Sequence, residues 1–212
     1  LQPGEELTAQ YREKEQALAL ARAQAPAAIG TAGSDLEQAH VYALKNNTTR
    51  AEPAAATTFR VGWDTNAVWF DIVCQEPEMK RLRATGDVYS GDNVVVSLAT
   101  PLHSYYHLEI NPDGLLAEGN PNPNWKSLAE IKTERNSDSW RVQLRIPVVV
   151  PAEAEADPRH RVAGSKPTAQ EPWFFNVGRQ RVLDLPKPEL QAFSPTGAGW
   201  HVPEKFAKLQ IE

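Results

Sequence analysis

The sequence has little of what would cross-link a small domain or hold it in a membrane. It has one cysteine in 212 residues, so an internal disulfide is excluded, and Cys74 is predicted to be a small buried core residue. No apolar run approaches the roughly 20 residues that a membrane-spanning helix needs. The net charge is −5 and no basic stripe is present, which argues against nucleic-acid binding. These absences favour a globular domain with an ordinary hydrophobic core.

The first 30 residues differ in composition from the rest. Residues 5–25 are rich in Ala, Glu, Gln, Leu and Arg, which favour helices. Pro26 and Gly30 are predicted to stop the helix. The chain also starts without a signal peptide, as an excised fragment does. We interpret residues 1–30 as a helical linker or the tail of a preceding domain.

From about residue 36 onward the pattern indicates strands. Thr57–Trp63 and Ala67–Cys74 are β-branched and aromatic runs separated by a short polar turn, which is typical of a hairpin. Trp140, Val142 and Leu144 alternate with polar residues, as in a strand with one buried face. We predict an all-β fold: an antiparallel β-sandwich of about nine or ten strands over residues 36–212, preceded by one N-terminal α-helix. A long loop is expected at residues 151–172.

The order of these segments resembles the family 9 carbohydrate-binding modules and the wider DOMON-like β-sandwich domains. Each segment is weak evidence alone, and the ordered set is fairly specific. The resemblance covers about residues 36–212 and is carried by Thr57–Asp64, Gly86–Val96, Tyr106–Gly114, Trp140–Pro147, Trp173–Arg179 and Gly199–Leu209.

The resemblance implies a non-catalytic sugar-binding module of a larger secreted protein, such as a glycoside hydrolase. In that family two aromatic rings clamp a terminal sugar, and the matching positions here are Tyr89 and Trp200. The physical chemistry agrees, because an aromatic face can cover the apolar C–H face of a pyranose ring. Trp200 follows a Gly/Pro/Ser-rich segment, so we expect it on a loop rather than in a strand.

The polar positions of the family differ in this chain. The expected glutamate is replaced by Val95, the arginine by His107, and the amide falls near Gly178. Losing such hydrogen-bonding partners changes ligand choice strongly. The sequence therefore leaves two readings: a module for a different sugar, or a structural sandwich that packs on a neighbouring domain and binds no sugar. The residues that could replace the missing polar partners, besides His107, are Glu109, Asn176, Arg179 and Gln180.

A few Asp, His and Met side chains could in principle bind a metal ion or a haem. Asp87 and Asp92 frame a Gly/Ser turn, so they are candidates for a calcium site or for capping a turn or strand. His103 and His107 are four residues apart on an expected strand and turn, which does not favour zinc. Some DOMON relatives bind haem through a Met and a His, and Met79 and His107 would have to supply these ligands here. The simpler interpretation is an exposed methionine in a loop and a histidine in a strand. No cofactor is expected.

Catalysis by this segment is not expected either. No nucleophile with its base and no phosphate-binding loop is evident, and a pair such as Glu109 and Asp92 is common among 27 acidic residues. The expected partners are carbohydrate and neighbouring domains of the same polypeptide, without nucleic acid or a membrane span. The resemblance implies a secreted, periplasmic or cell-surface location in bacteria.

Overall fold

The computed structural model describes residues 3–84, 86–119, 125–150, 162–183, 187–197 and 199–212. Its helix α1 spans Pro3–Gln24 and ends just before Pro26, as the sequence predicts. From residue 10 onward nearly all side chains of α1 are exposed, although Arg22 lies 4.3 Å above the ring of Phe174. Within these ranges, no helix has both the length and the apolar character needed to cross a bilayer.

The rest of the described chain forms strands in two layers, joined by turns and loops. The strand β1, Ala27–Ala32, belongs to both layers. The first sheet contains β2 (Tyr42–Ala43), β4 (Thr57–Asp64), β5 (Ala67–Gln75), β9 (Glu130–Arg135), β10 (Ser139–Val149) and β11 (Val162–Ala163). The second sheet contains β3 (Lys45–Asn46), β6 (Asn93–Thr100), β7 (His103–Ile110), β8 (Leu116–Gly119), β12 (Trp173–Arg181), β13 (Glu189–Ala192) and β14 (Ala207–Ile211).

The all-β fold with one N-terminal helix is confirmed, and the antiparallel prediction holds only in part. β1 runs parallel to β14 through residues 27–30 and parallel to β4 through residues 31 and 32. β10 and β11 are also parallel, while the other strand pairs are antiparallel. The described residues contain fourteen strands rather than nine or ten. The extra ones are mostly two to six residues long, too short to give a clear sequence period.

The domain boundaries also shift. β1 lies in the segment interpreted as a linker, so the sandwich begins at Ala27 rather than at residue 36. Of the expected loop at 151–172, residues 151–161 lie outside the described part, and Val162–Ala163 pairs with β10. The hairpin of β4 and β5 follows the prediction, with Thr57 opposite Cys74 and Asp64 opposite Ala67.

The core lies between the two sheets and is rich in aromatic rings. Phe59 and Phe70 of the first sheet contact Phe175 of the second, with ring centroids 5.9 and 6.1 Å apart. Trp63 meets Trp173 edge to face at 5.6 Å. Aromatic pairs at such distances bury large apolar areas and stabilise the packing of the two layers. Cys74 is fully buried, and this burial raises the pKa of its thiol to about 11, in agreement with a packing role.

Candidate functional site

The outer face of the second sheet brings the family's polar positions together. Because Val94, Val96 and Leu98 pack into the core, the alternate residues of β6 point to the other side of the sheet. Strand register then gives two rows across β12, β6, β7 and β8. One row is Gly178, Val95, Glu109 and Ala117, and the next is Asn176, Ser97, His107 and Gly119. All three departures from the family pattern therefore lie on one face, which we call the floor.

Trp200 lies on this floor, directly over Gly178. A methyl group built on Gly178 would come within 2.6 Å of Cζ3 of the indole, 2.9 Å of Cε3 and 3.0 Å of Cη2. These three ring atoms are consecutive and nearly equidistant, so the ring presents its face rather than its edge to the glycine. Trp200 is half-buried, and its other face points away from the sheet. Gly178 leaves the space that the ring occupies.

Tyr89 lies beside the same strand. It is in a short 3₁₀ helix, Val88–Ser90, in which the Asp87 side chain accepts from the Tyr89 N–H. The side chain of Gln180 donates to the carbonyl oxygens of Tyr89 and Gly91 at 2.8 and 2.9 Å, which fixes this helix on β12. The Tyr89 side chain remains 56% exposed.

The two predicted aromatic residues thus belong to one region. Gln180, which holds the Tyr89 turn, is two residues from Gly178, which carries Trp200. Positions two apart on a strand share a face and are roughly 6.6 Å apart. Neither ring is buried in the interior, and both loops converge on the outer face of β12.

A buried hydrogen-bond network covers the middle of the floor. His107 Nε2 lies 2.6 Å from Glu109 Oε1, and His107 Nδ1 lies 3.0 Å from Ser97 Oγ and 2.9 Å from Tyr105 Oη. A carboxylate only accepts, so beside an ionised Glu109 the proton of His107 is on Nε2, and Nδ1 accepts from a hydroxyl. Asn93 donates to the other carboxylate oxygen of Glu109 at 3.3 Å. His107 and Glu109 are 4% and 5% exposed, so the protein itself already satisfies much of their hydrogen bonding.

His201 extends this network to the loop that carries Trp200. Its Nδ1 contacts the Tyr105 hydroxyl, and its ring centroid is 4.8 Å from that of His107. Burial lowers the pKa of His201, and the neighbouring His107 lowers it further. Burial also raises the pKa of Tyr105 to about 12, so this hydroxyl keeps its proton and can donate.

Asn176 and Arg179 take structural positions. Asn176 is on the floor, but its amide nitrogen donates to the Ser194 carbonyl at 2.8 Å, and its amide oxygen accepts from the Ser194 N–H at 2.9 Å. It therefore anchors the start of the Trp200 loop. Arg179 is on the inner side of β12, fully buried, with its guanidinium 2.9 Å from Glu76 Oε2. Arg179 is not part of the floor, because adjacent strand residues point to opposite faces.

The two aspartates weighed for calcium make backbone contacts. Asp87 Oδ1 accepts from the Tyr89 N–H, and Asp92 accepts from Arg83 N–H through Oδ2 and from Val182 N–H through Oδ1. These are capping contacts, as the alternative interpretation expects. Over the described part of the chain, no group of three or more His, Cys, Asp or Glu side chains is arranged to hold a metal ion. The calcium prediction itself stays untested.

Sequence reasoning missed the contributions of Tyr105 and His201. Tyr105, His107 and Glu109 alternate on β7, which is a strand signal for one shared face, but nothing local links them to His201. The Tyr105–His201 contact joins residues 96 positions apart. Such a pairing becomes visible only when the last loop folds back across the sheet.

Comparison of the fold with solved structures gives several matches. A family 9 carbohydrate-binding module from Caldicellulosiruptor kristjanssonii in complex with cellotriose superposes with a TM-score of 0.64 at 16% identity, over 88% of this chain and 93% of that one. The same kind of module from that organism in complex with glucose gives 0.61 at 16% identity, over 88% and 95%. A proposed carbohydrate-binding protein from Bacteroides uniformis gives 0.64 at 16% identity, over 88% and 99%.

Comparisons of the amino-acid sequence give no match. No protein-family model matches the chain, and no curated protein matches it. At 16% identity the likeness is one of fold, and it confirms the resemblance to the family 9 modules at that level. The DOMON-like part of the resemblance is not confirmed by these comparisons.

Proposed function

We propose that this chain is a non-catalytic carbohydrate-binding module that stacks a sugar on Trp200, with Tyr89 as the second aromatic contact. The observation that carries the proposal is the face-on seating of Trp200 over Gly178. It places one face of the indole against the sheet, and the ring remains half-buried, so we expect the sugar to stack on its other face. The sugar complexes of structures with the same fold support the ligand class.

The sugar would be held mainly by stacking and by groups at the edge of the floor. His107, Glu109 and Asn176 hydrogen-bond within the protein, so they position the floor rather than present free groups. His201, which is exposed and follows Trp200 in the chain, and Gln180, which is half-buried and bonds to the Tyr89 carbonyl, are the polar side chains next to the two aromatic residues. We infer that this chain reads the hydroxyl rim of its sugar with fewer charged contacts than its family pattern implies.

The setting in which such a module acts is part of the proposal. By analogy with modules of this fold, the chain would act in a larger secreted or cell-surface protein and keep a partner domain near its glycan. Neighbouring domains of the same polypeptide would be its other partners. No bond is made or broken by the module in this role.

Titration calorimetry with a panel of neutral mono- and oligosaccharides, including glucose and cellotriose, tests the proposal. We expect binding by the native chain and a roughly thirtyfold loss for Trp200→Ala, since a central aromatic contact is worth about 2 kcal/mol. Trp200→Phe, which keeps an aromatic face, is the matched control and should lose much less. Tyr89→Ala should weaken binding to a smaller extent.

The alternative function is a structural sandwich that binds no sugar. It is favoured by Val95 and Gly178, which bring no polar group to the floor, and by the closed network around His107. Absence of heat with every saccharide in the panel would support this alternative. Native binding that Trp200→Ala leaves intact would keep the function and overturn the site.

A further inference from the structure

The outer face of the first sheet, opposite the floor, carries a groove of about 700 Å³. The loop at residues 34–38 forms one wall, and alternate residues of β4, β5, β10 and β9 form the base. Strand register places Arg60, Asp71, Gln143 and Lys132 side by side in one row. Pockets that take small ligands have volumes of about 300–1,000 Å³, so the groove has room for a sugar.

The centre of this groove is a fixed carboxylate. Asp71 is 4% exposed, and its two oxygens accept from Arg141 Nε at 2.5 Å and from Arg141 Nη2 at 2.9 Å. This bidentate pairing holds both side chains in one geometry. Arg60 reaches the same carboxylate only through one long contact of 3.5 Å. The base of the groove is therefore rigid around Asp71, and Arg60 has donors to spare.

Two buried donors on this face have no acceptor among the described residues. They are Arg60 Nε and the indole Nε1 of Trp69. Trp69 precedes Asp71 by two positions on β5, so the two side chains share the face, and both line the groove. Leaving such a donor unpaired costs about 1–3 kcal/mol, which an incoming hydroxyl oxygen could offset after a small shift of the side chains.

The charges that line the groove nearly cancel. Four carboxylates (Asp35, Glu37, Asp71 and Glu134) face three cations (Arg60, Lys132 and Arg141). A strongly charged ligand of either sign would meet like charges here, which argues against an anion or a cation. Planar donors and acceptors beside an indole suit a neutral molecule with many hydroxyl groups and one apolar face.

We propose that this groove is a second saccharide-binding site, specific for neutral sugars, on the face of the sandwich opposite Trp200. Trp69 supplies the aromatic contact, and Arg60 and Gln143 supply hydrogen bonds beside the fixed Asp71. The site rests on the same ligand class as the function proposed above, but it uses none of the same residues.

Indole N–H resonances can test the two sites separately. Of the six tryptophans, the signals of Trp69 and Trp200 can be assigned from Trp69→Phe and Trp200→Phe spectra. Cellotriose, maltotriose, xylotriose and mannotriose are titrated to millimolar concentration, with a tri-galacturonate as the anionic probe. We expect at least one neutral trisaccharide to shift the Trp69 signal, and to do so equally in Trp200→Ala.

A variant and a matched control complete the test. Gln143→Ala should weaken the titration of the Trp69 signal roughly fivefold, the value of one hydrogen bond. Gln75→Ala changes an exposed glutamine of β5 that lies on the same sheet face but outside the groove, and it should leave the titration unchanged. A Trp69 signal unmoved by all four neutral sugars, or moved only by the galacturonate, would overturn the proposal. If no sugar shifts the Trp200 signal, only the proposed site at Trp200 is contradicted.

Discussion

At the scale of single residues, the site at Trp200 depends on the absence of a side chain at Gly178. The sequence indicated Tyr89 and Trp200 through the resemblance, and it flagged Gly178 as a lost amide. It could not show that the loss makes room for an indole, because that depends on contact between residues 22 positions apart. Val95 and His107 were flagged as departures in the same way, and the structure places all three on one face. Arg179 was predicted to replace one of the missing polar partners, but it lies on the inner side of the strand.

Gly178→Ala is expected to displace Trp200. The new methyl group would lie 2.6 Å from the indole, closer than such atoms approach, so the ring must tilt away from the sheet. Sugar affinity measured by calorimetry should fall about tenfold, which corresponds to about 1.4 kcal/mol. Gly199→Ala is the matched control, because a methyl group there meets no atom within 4 Å. Equal effects of both variants would contradict the seating of the ring.

Acid should destabilise the protein through His201 and His103. Burial lowers the pKa of both below the ordinary value of 6.5, so below about pH 6.5 the unfolded chain binds more protons than the folded one. The free energy of unfolding, measured by urea denaturation, should therefore decrease as the pH falls from about 7 to 5. The decrease should be smaller in His201→Gln. An identical slope in the variant would rule out a contribution from His201.

At the scale of elements, long strands could be read from the sequence and short ones could not. β4, β5 and β10 carry eight or more residues, and their alternation or β-branched composition gives a clear signal. β1 reads Ala-Ala-Ile-Gly-Thr-Ala, a composition without strong β preference. Its strand form depends on pairing with β14, about 180 positions away. Such contacts are set by the whole fold and leave no local trace.

A buried ionic cluster links the two sheets where β5 ends. Glu76 accepts from Arg179 Nη2 at 2.9 Å and from Arg181 Nε at 2.7 Å, and all three side chains are almost fully buried. Burial alone would raise the pKa of Glu76, but the hydrogen bond and charge of Arg181, together with Arg179, hold it below its usual value. The carboxylate is thus the counter-charge of two buried arginines.

Glu76→Gln is expected to lower the free energy of unfolding by about 3–5 kcal/mol, because it leaves buried positive charge uncompensated. Urea denaturation would measure the loss. The control is Glu52→Gln, which breaks the exposed pair with Lys45 and should cost less than about 1 kcal/mol. Sugar affinity should be unchanged in whatever fraction of Glu76→Gln remains folded. A loss no larger than that of the control would show that the cluster is dispensable.

At the scale of the whole molecule, helix and sandwich contribute unequally. The described side chains of α1 are mostly exposed, and its contacts with the sheets include Arg22 over Phe174 and Lys208 Nζ to the Ala23 carbonyl. The sequence distinguished helix from sandwich correctly by composition. It set the boundary nine residues too late, because β1 was grouped with the helix.

Removing residues 1–25 should therefore leave a folded sandwich, at a cost of about 1 kcal/mol from the lost cation–π contact. Removing residues 1–32 also deletes β1, which joins the two sheets, and should abolish the cooperative thermal transition. Circular dichroism during heating distinguishes the two truncations. If the variant that lacks residues 1–25 is unfolded, α1 is required for the fold of the sandwich.

The parallel pairing of β1 with β14 also has a mechanical consequence. A force that pulls on the chain before β1 and on the chain after β14 would move these two strands in opposite directions along their common axis. The ladder from Ala27–Lys208 to Gly30–Ile211 would then be loaded in shear, with its hydrogen bonds resisting together rather than opening one after another. Strands loaded in this way are expected to resist a higher force than strands that are peeled apart.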